Sequence, residues 1–173
     1  MTRRLILIRH AKSSWDDPFA DDHARVLNER GRASAKAVGD WLAGHGFVPD
    51  LVLCSDAART QETAQLILPQ LTPAPQLQLS ARLYHASPDT LFDMIRKQDV
   101  PTLALIGHNP GIGMLAEGLV RQAPDHQRFG DYPTCATVIM DFAGDDWSGI
   151  RRGTGQVIDF IVPRDLIGTS AQA

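Results

Sequence analysis

Cysteine is scarce in this chain of 173 residues: Cys54 and Cys135 are the only two, too few and too far apart for a disulfide framework or a zinc knuckle. Cys54 sits inside an apolar run and reads as a buried thiol. Long hydrophobic runs are missing as well. The apolar stretch after the basic Met1-Thr2-Arg3-Arg4 lasts about four residues, too short for a signal sequence or a membrane span, so a cytoplasmic protein that does not enter membranes is expected. No charge of either sign dominates. A net charge of -3 gives no global pull toward nucleic acid or an anionic surface, and any anion must be captured by a local cluster. Repeats and low-complexity segments are also lacking.

What is present is an ordinary globular composition, 43% hydrophobic, in a length suited to one domain spanning 1–173. Apolar runs at 4–9, 51–55 and 102–107 are continuous instead of alternating, which predicts strands buried on both faces of a mainly parallel sheet. Helical spacing fills the gaps. Asn28 to Gly44 reads as a helix with Ala33, Ala37, Trp41 and Leu42 on its buried stripe, and Gly44 and Gly46 at its end. Ser55 is placed to cap a second helix, in which Ala57, Ala64, Ile67, Leu68 and Leu71 recur until Pro73. Ser87-Pro88-Asp89 starts a third that runs toward Gln98, and Gly111 to Val120 forms a shorter fourth. Alternation at 137–142 and 156–162 predicts two late strands, antiparallel across a loop holding Asp145 and Gly149. The resulting fold class is α/β, a three-layer sandwich whose mainly parallel central sheet is flanked by helices. The polar segment 11–27 is a long loop beside strand ends, where loops are usually functional.

Each apolar run empties into a cationic or cationisable side chain. Leu7-Ile8 leads to Arg9-His10, Leu51-Val52-Leu53-Cys54 leads to Ser55-Asp56-Ala57-Ala58-Arg59, and Leu103-Ala104-Leu105-Ile106 leads to Gly107-His108-Asn109-Pro110. Strand ends are where α/β proteins place their chemistry, so the three termini together suggest one electropositive pocket for an anion, most simply a phosphoryl group. Taken singly, each residue has a plainer reading. A lone histidine at a strand end is more often structural, and Arg59 alone could be a solvated helix residue. Arg9 is costly to bury unpaired, which requires either a site or a buried carboxylate partner. His23, His45 and His126 lack a motif and are expected at the surface, and Gly111-Ile112-Gly113 is a turn into a helix, not a dinucleotide fingerprint. A metal centre is disfavoured because Arg9 would repel the ion and neither His-x-His nor Glu-x-x-His spacing occurs.

Read in order, Arg9-His10-Ala11, Ser55-Asp56-x-x-Arg59-x-x-x-Thr63-Ala64 and Gly107-His108-Asn109-Pro110-Gly111 resemble the phosphoglycerate-mutase-like histidine phosphatase superfamily. Asn28-Glu29-Arg30-Gly31-Arg32, Pro49-Asp50-Leu51-Val52-Leu53, Leu83-Tyr84-x-Ala86-Ser87 and Pro133-Thr134 extend the likeness to its small SixA-type phosphohistidine phosphatases, over nearly the whole chain. One departure is Ala11, where the superfamily more often has Gly.

The resemblance implies a phosphoglycerate-mutase-like fold and a cofactor-free phosphatase that works through a phosphorylated His10. Arg9, Arg59 and His108 complete its catalytic set and, with Asn109, bind the substrate phosphoryl group. The chemistry agrees: a neutral imidazole nitrogen attacks phosphorus and splits one hard displacement into two, while preorganised cations stabilise the charge spread over the phosphoryl oxygens. Those cations should also depress the His10 pKa, and a bound phosphate dianion should favour protonated His108. The amides after Ser55 are candidate extra donors. The expected partner is a phosphohistidine-bearing protein or a small phosphate ester, not nucleic acid. A small-molecule phosphomonoesterase is the alternative enzyme, and a non-catalytic phospho-ligand binding module the alternative of another class. In larger relatives a Glu or Asp after the third strand protonates the leaving group, but Leu79-Ser80-Ala81-Arg82-Leu83-Tyr84 has no carboxylate. Asp16, Asp17, Asp21, Asp22, His85 and Asp89 remain candidates for that role.

Overall fold

A computed structural model describes residues 1–168 and contains a single six-stranded sheet in the order β3-β2-β4-β1-β5-β6. The strands are β1 (Thr2–Arg9), β2 (Leu51–Ser55), β3 (Gln76–Ser80), β4 (Thr102–Gly107), β5 (Thr137–Ala143) and β6 (Gln156–Ile161). The helices are α1 (Glu29–Gly44), α2 (Ala58–Ile67), α3 (Pro88–Arg96), α4 (Gly111–Leu119) and α5 (Pro163–Ile167). β1, β2, β3 and β4 pair in parallel, whereas β5 runs antiparallel to both β1 and β6. The expected α/β sandwich with a mainly parallel centre is therefore the observed fold, with its late pair antiparallel as the alternation predicts.

The apolar runs bury both faces and divide their side chains by chemistry. Leu5, Leu7, Leu51, Leu53, Leu103 and Leu105 all point to one side, where Leu91 and Ile95 of α3 and Ile112 and Leu115 of α4 cover them. Ile6, Ile8, Val52, Cys54, Ala104 and Ile106 point to the other, against Val38 and Leu42 of α1 and Ala64 and Ile67 of α2. This is the period-two alternation of a pleated strand, hidden in sequence because both phases are apolar. Leu5, Ile6, Leu7, Leu53 and Leu105 have no exposed surface, and each such side chain contributes about 1.5–3 kcal/mol relative to an exposed one.

Helix starts follow their capping residues. Asn28 accepts from the Gly31 amide at 2.8 Å and opens α1, and Ser87 accepts from the Thr90 amide at 3.2 Å with Pro88 in the first turn of α3. Gly31 cannot carry a side chain, since a Cβ there would lie 2.1 Å from the Lys12 carbonyl oxygen. That contact presses the start of α1 against the chain leaving β1. Gly111 is similarly fixed by the Ala86 carbonyl, 2.1 Å from where its Cβ would stand.

Several boundaries differ from expectation. The buried face of α1 consists of Gly31, Ser34, Ala35, Val38, Gly39 and Leu42, so the stripe of Ala33, Ala37 and Trp41 is rotated toward solvent and only Leu42 is shared. The two glycines lie on this face because close approach, not hydrophobicity, selects them. α2 begins at Ala58, not next to Ser55, and yields to a 3-10 turn at Leu68–Gln70. β3 and α5 were not expected. β3 is an edge strand with every residue at least partly exposed, including Leu77 and Leu79, and it lacks the apolar content that marks the central strands.

Candidate active site

The carboxyl ends of β1, β4 and β2 lie side by side, because β4 pairs with both others and Arg9 stands opposite Gly107. From β1 the chain crosses outward to β2 under α1, and from β4 it crosses the other way to β5 over α4. The strand order thus reverses at this point, where open α/β sheets leave a crevice. Arg9, His10, Ser55 and His108 all sit on its floor, and Arg59 follows in the first turn of α2.

His10 is held by its backbone and through one ring nitrogen. Its N–H donates to the Gly107 carbonyl at 3.0 Å, and its carbonyl accepts from the Cys135 N–H at 3.0 Å. Nδ1 lies 2.7 Å from the Ala11 carbonyl oxygen. Because a carbonyl only accepts, Nδ1 carries the proton and Nε2 keeps its lone pair. Burial, reinforced by Arg59 and Arg9, pulls the His10 pKa down from 6.5 to about 4 despite that hydrogen bond, so the imidazole is neutral at pH 7.

His108, packed with its ring centroid 5.2 Å from that of His10, is lowered to about 3 by burial first and then by His10, Arg59 and His85. Its Nε2 contacts Ser55 Oγ at 2.8 Å, and its buried Nδ1 has no hydrogen-bond partner. A buried polar atom left without a partner costs about 1–3 kcal/mol, which a hydrogen-bonding ligand would recover.

Thr63 ties these parts together. Its Oγ1 accepts from the Ala11 N–H at 3.0 Å and donates to the Arg59 carbonyl at 2.7 Å, which explains the Arg59-x-x-x-Thr63 spacing. Arg59 is 4% exposed, and its guanidinium donates to the Asp22 carbonyl at 2.7 Å and to Asp22 Oδ2 at 3.1 Å. Asp22 Oδ2 also accepts from the Tyr84 hydroxyl and from His85 Nε2, the latter at 3.0 Å. Those hydrogen bonds, led by Tyr84, hold the Asp22 carboxyl well below the usual carboxylate range. One oxygen therefore knots the loop after β1, α2 and the turn before α3 together over the histidines.

Arg9 donates to the Tyr132 carbonyl at 3.2 Å, and its buried Nε is without a partner. Burial lowers its pKa from the usual arginine value, with Arg59 adding to the effect. Of the two accounts of a buried Arg9, the fold supplies the site and not a carboxylate partner, and a backbone carbonyl takes one of its donors. Asn109 lies at the site's edge but is occupied: its amide donates to the Asp131 and Tyr132 carbonyls at 3.2 and 3.0 Å, and its oxygen accepts from the Gly113 N–H at 3.1 Å. The geometry gives Asn109 the work of fixing the 131–132 loop and the start of α4. The Ala57 amide after Ser55 is likewise engaged, with Ser55 Oγ at 3.3 Å.

Of the six candidate proton donors, Asp22 and His85 reach the site. Asp16, Asp17 and Asp21 are exposed on the loop, and Asp89 is paired with Arg152. Asp22 arrives as a carboxylate anchored by three donors and holds no proton to give at neutral pH. His23 is at the surface as expected, on the rim of the site, with Nε2 2.9 Å from Asp56 Oδ1 and its ring edge-on to Tyr84. His45 is exposed, and His126 is bonded to Asp165 at 2.9 Å. Tyr84 and Thr63 are the site residues without an individual role in the sequence reading, although both lie within its motifs. Among the described residues no group of three or more His, Cys, Asp or Glu side chains is placed to hold a metal ion, and no helix is long and apolar enough to cross a membrane.

A neutral, oriented imidazole beside two guanidiniums and a second buried imidazole, at the switch point of a doubly wound sheet, defines a phosphatase. The chain belongs to the histidine phosphatase superfamily, branch 1, whose family model matches residues 5–87. It is 33% identical over 164 residues to the uncharacterised protein Rv1276c of Mycobacterium tuberculosis, covering 91% of this chain and 100% of that one. Among solved structures it is similar to the proposed phosphohistidine phosphatase SixA of Agrobacterium tumefaciens, with TM-score 0.76, 28% identity, and coverage of 93% of this chain and 98% of that chain. The proposed SixA of Nakamurella multipartitia matches with TM-score 0.78, 25% identity, and coverage of 94% and 97% respectively.

Proposed function

We propose that this phosphatase removes the phosphoryl group from phosphohistidine on a protein, through a covalent intermediate on His10. The observation that carries the mechanism is the donation of the His10 Nδ1–H to the Ala11 carbonyl, which leaves Nε2 as the free nucleophile. In the first step the Nε2 lone pair forms a bond to phosphorus while the bond to the substrate's imidazole nitrogen breaks, and the departing electron pair stays on that imidazole. In the second, water attacks phosphorus, the bond to Nε2 breaks and its electron pair returns to His10, and the water proton passes to solvent. Arg9, Arg59 and His108 supply donors to the phosphoryl oxygens, whose charge grows in each transition state.

The substrate assignment rests on the likeness to proposed phosphohistidine phosphatases and on the ionised Asp22. A positioned general acid contributes about 10²–10⁴ in rate and matters most for a poor alkoxide leaving group. An imidazole leaving from phosphohistidine needs far less help. A panel measurement of kcat/KM is expected to rank a phosphohistidine protein above an activated aryl phosphate and both above an alkyl phosphate. Radiolabelled phosphate should attach to His10 in acid-labile, base-stable form. Normal turnover by folded His10→Ala would overturn the mechanism, and efficient alkyl phosphate hydrolysis would replace the substrate by a small phosphomonoester.

A further inference from the structure

A pocket of about 460 Å³ opens beside Arg9, between the start of α1, the 128–134 loop and α5. Arg9, Lys12, Arg30, Arg128 and Arg164 line it, and among its described lining residues the one carboxylate is that of Asp131, itself bonded to Arg128 at 3.0 Å. Nothing in the bulk composition accounts for this: the chain as a whole carries a net charge of -3. The larger surface pocket near β6, about 790 Å³, balances Arg121 with Asp125 and Asp159. His10, Arg59 and His108 do not line the basic pocket, which adjoins the place proposed for the transferred phosphoryl group at Arg9. Arg9 belongs to both, and its buried Nε still lacks an acceptor.

We propose that this pocket is a second anion subsite, which seats an acidic segment flanking the phosphohistidine of the protein substrate. The inference deepens the phosphohistidine-protein reading and rests on it. The cations come from β1, the loop after it, α1, the 128–134 loop and α5, so positive charge is distributed around a half-open cavity. A single small anion is held best by converging donors; carboxylates spaced along a peptide match a distributed rim. Lys12 and Arg30 are exposed side chains with no ion pair among the described residues, which leaves both available to an incoming chain. Lys12 is two residues from His10, so a substrate engaged there is already beside the nucleophile.

The test uses synthetic peptides phosphorylated on histidine, one flanked by glutamates and one by serines, with the intact enzyme and the double variant Lys12→Ser/Arg30→Ser. The unmodified enzyme should favour the glutamate peptide by at least about tenfold in kcat/KM, mostly through KM, and the preference should shrink as salt rises. In the variant the ratio should approach one, with turnover of p-nitrophenyl phosphate showing that it is folded. Fluorescence anisotropy of the unphosphorylated glutamate peptide provides a readout independent of turnover, with binding expected to weaken about tenfold in the variant. Equal use of both peptides without anisotropy binding overturns the subsite while leaving phosphohistidine as substrate. Binding that the variant loses, with neither phosphopeptide turned over, upholds the subsite and overturns the phosphohistidine reading. Selective turnover of a small carboxylated phosphate ester over the glutamate peptide overturns the protein segment as its occupant.

Discussion

The burial that keeps His10 and His108 neutral should make the fold sensitive to acid. His10 and His108 are 7% and 3% exposed, with pKa values drawn from 6.5 to about 4 and about 3. In each case the folded imidazole is the weaker base, so the unfolded chain takes up protons first as the pH drops below about 6.5. Stability is therefore complete above that value and declines with falling pH until the folded pKa values are reached. Between pH 7 and pH 5 the linkage amounts to about 2 kcal/mol for each ring, or about 4 kcal/mol together. That is a large share of the roughly 5–15 kcal/mol by which domains are stable. Urea unfolding at the two pH values measures it directly. His10→Asn supplies the control, because a side-chain amide still offers an N–H to the Ala11 carbonyl and does not titrate. The variant should lose about 2 kcal/mol less than the unmodified protein on going from pH 7 to pH 5. An equal loss in both proteins, or a His10 resonance titrating near 6.5 by NMR, would refute the reasoning.

Three further outcomes follow from the geometry. Arg59→Ala should lower kcat/KM by about 10²–10³, the scale of a lost oxyanion donor, and Arg59→Lys should restore only part of it; a loss under tenfold removes Arg59 from the transition state. Asp22→Asn should tighten competitive inhibition by inorganic phosphate by about fivefold, since a half-exposed carboxylate no longer competes for Arg59, and weaker inhibition would show that Asp22 positions the guanidinium instead. Gly31→Ala should cost about 1–3 kcal/mol in urea unfolding, because its Cβ would collide with the Lys12 carbonyl, and an unchanged midpoint would contradict that contact.

The central strands and the candidate residues Arg9, His10, Arg59 and His108 were legible in the sequence because continuous apolar runs mark β1, β2 and β4, and each of these residues lies at or soon after a strand end. β3 was not, since an edge strand of glutamines and exposed leucines carries little burial signal. The buried face of α1 is hidden in the sequence for a related reason: it includes Gly31, Ser34 and Gly39, and hydrophobic spacing does not register small residues. The knot at Asp22 joins residues 37 to 63 positions apart through one oxygen, and nothing local distinguishes Asp22 from Asp16, Asp17 or Asp21. Asn109 stands in the expected motif, yet its amide is consumed by carbonyls of a loop more than twenty residues away, a relation visible only after folding.

The acceptor that fixes the His10 tautomer is a main-chain carbonyl, and every amino acid at position 11 brings one. A saturation mutagenesis screen would accordingly find no side chain that accepts this proton, unlike enzymes that assign this task to an aspartate. Position 11 would register as a limit on volume, because Ala11 is wholly enclosed and its N–H is committed to Thr63. Genetic maps of this enzyme should thus understate how much of its catalytic geometry is written in the backbone.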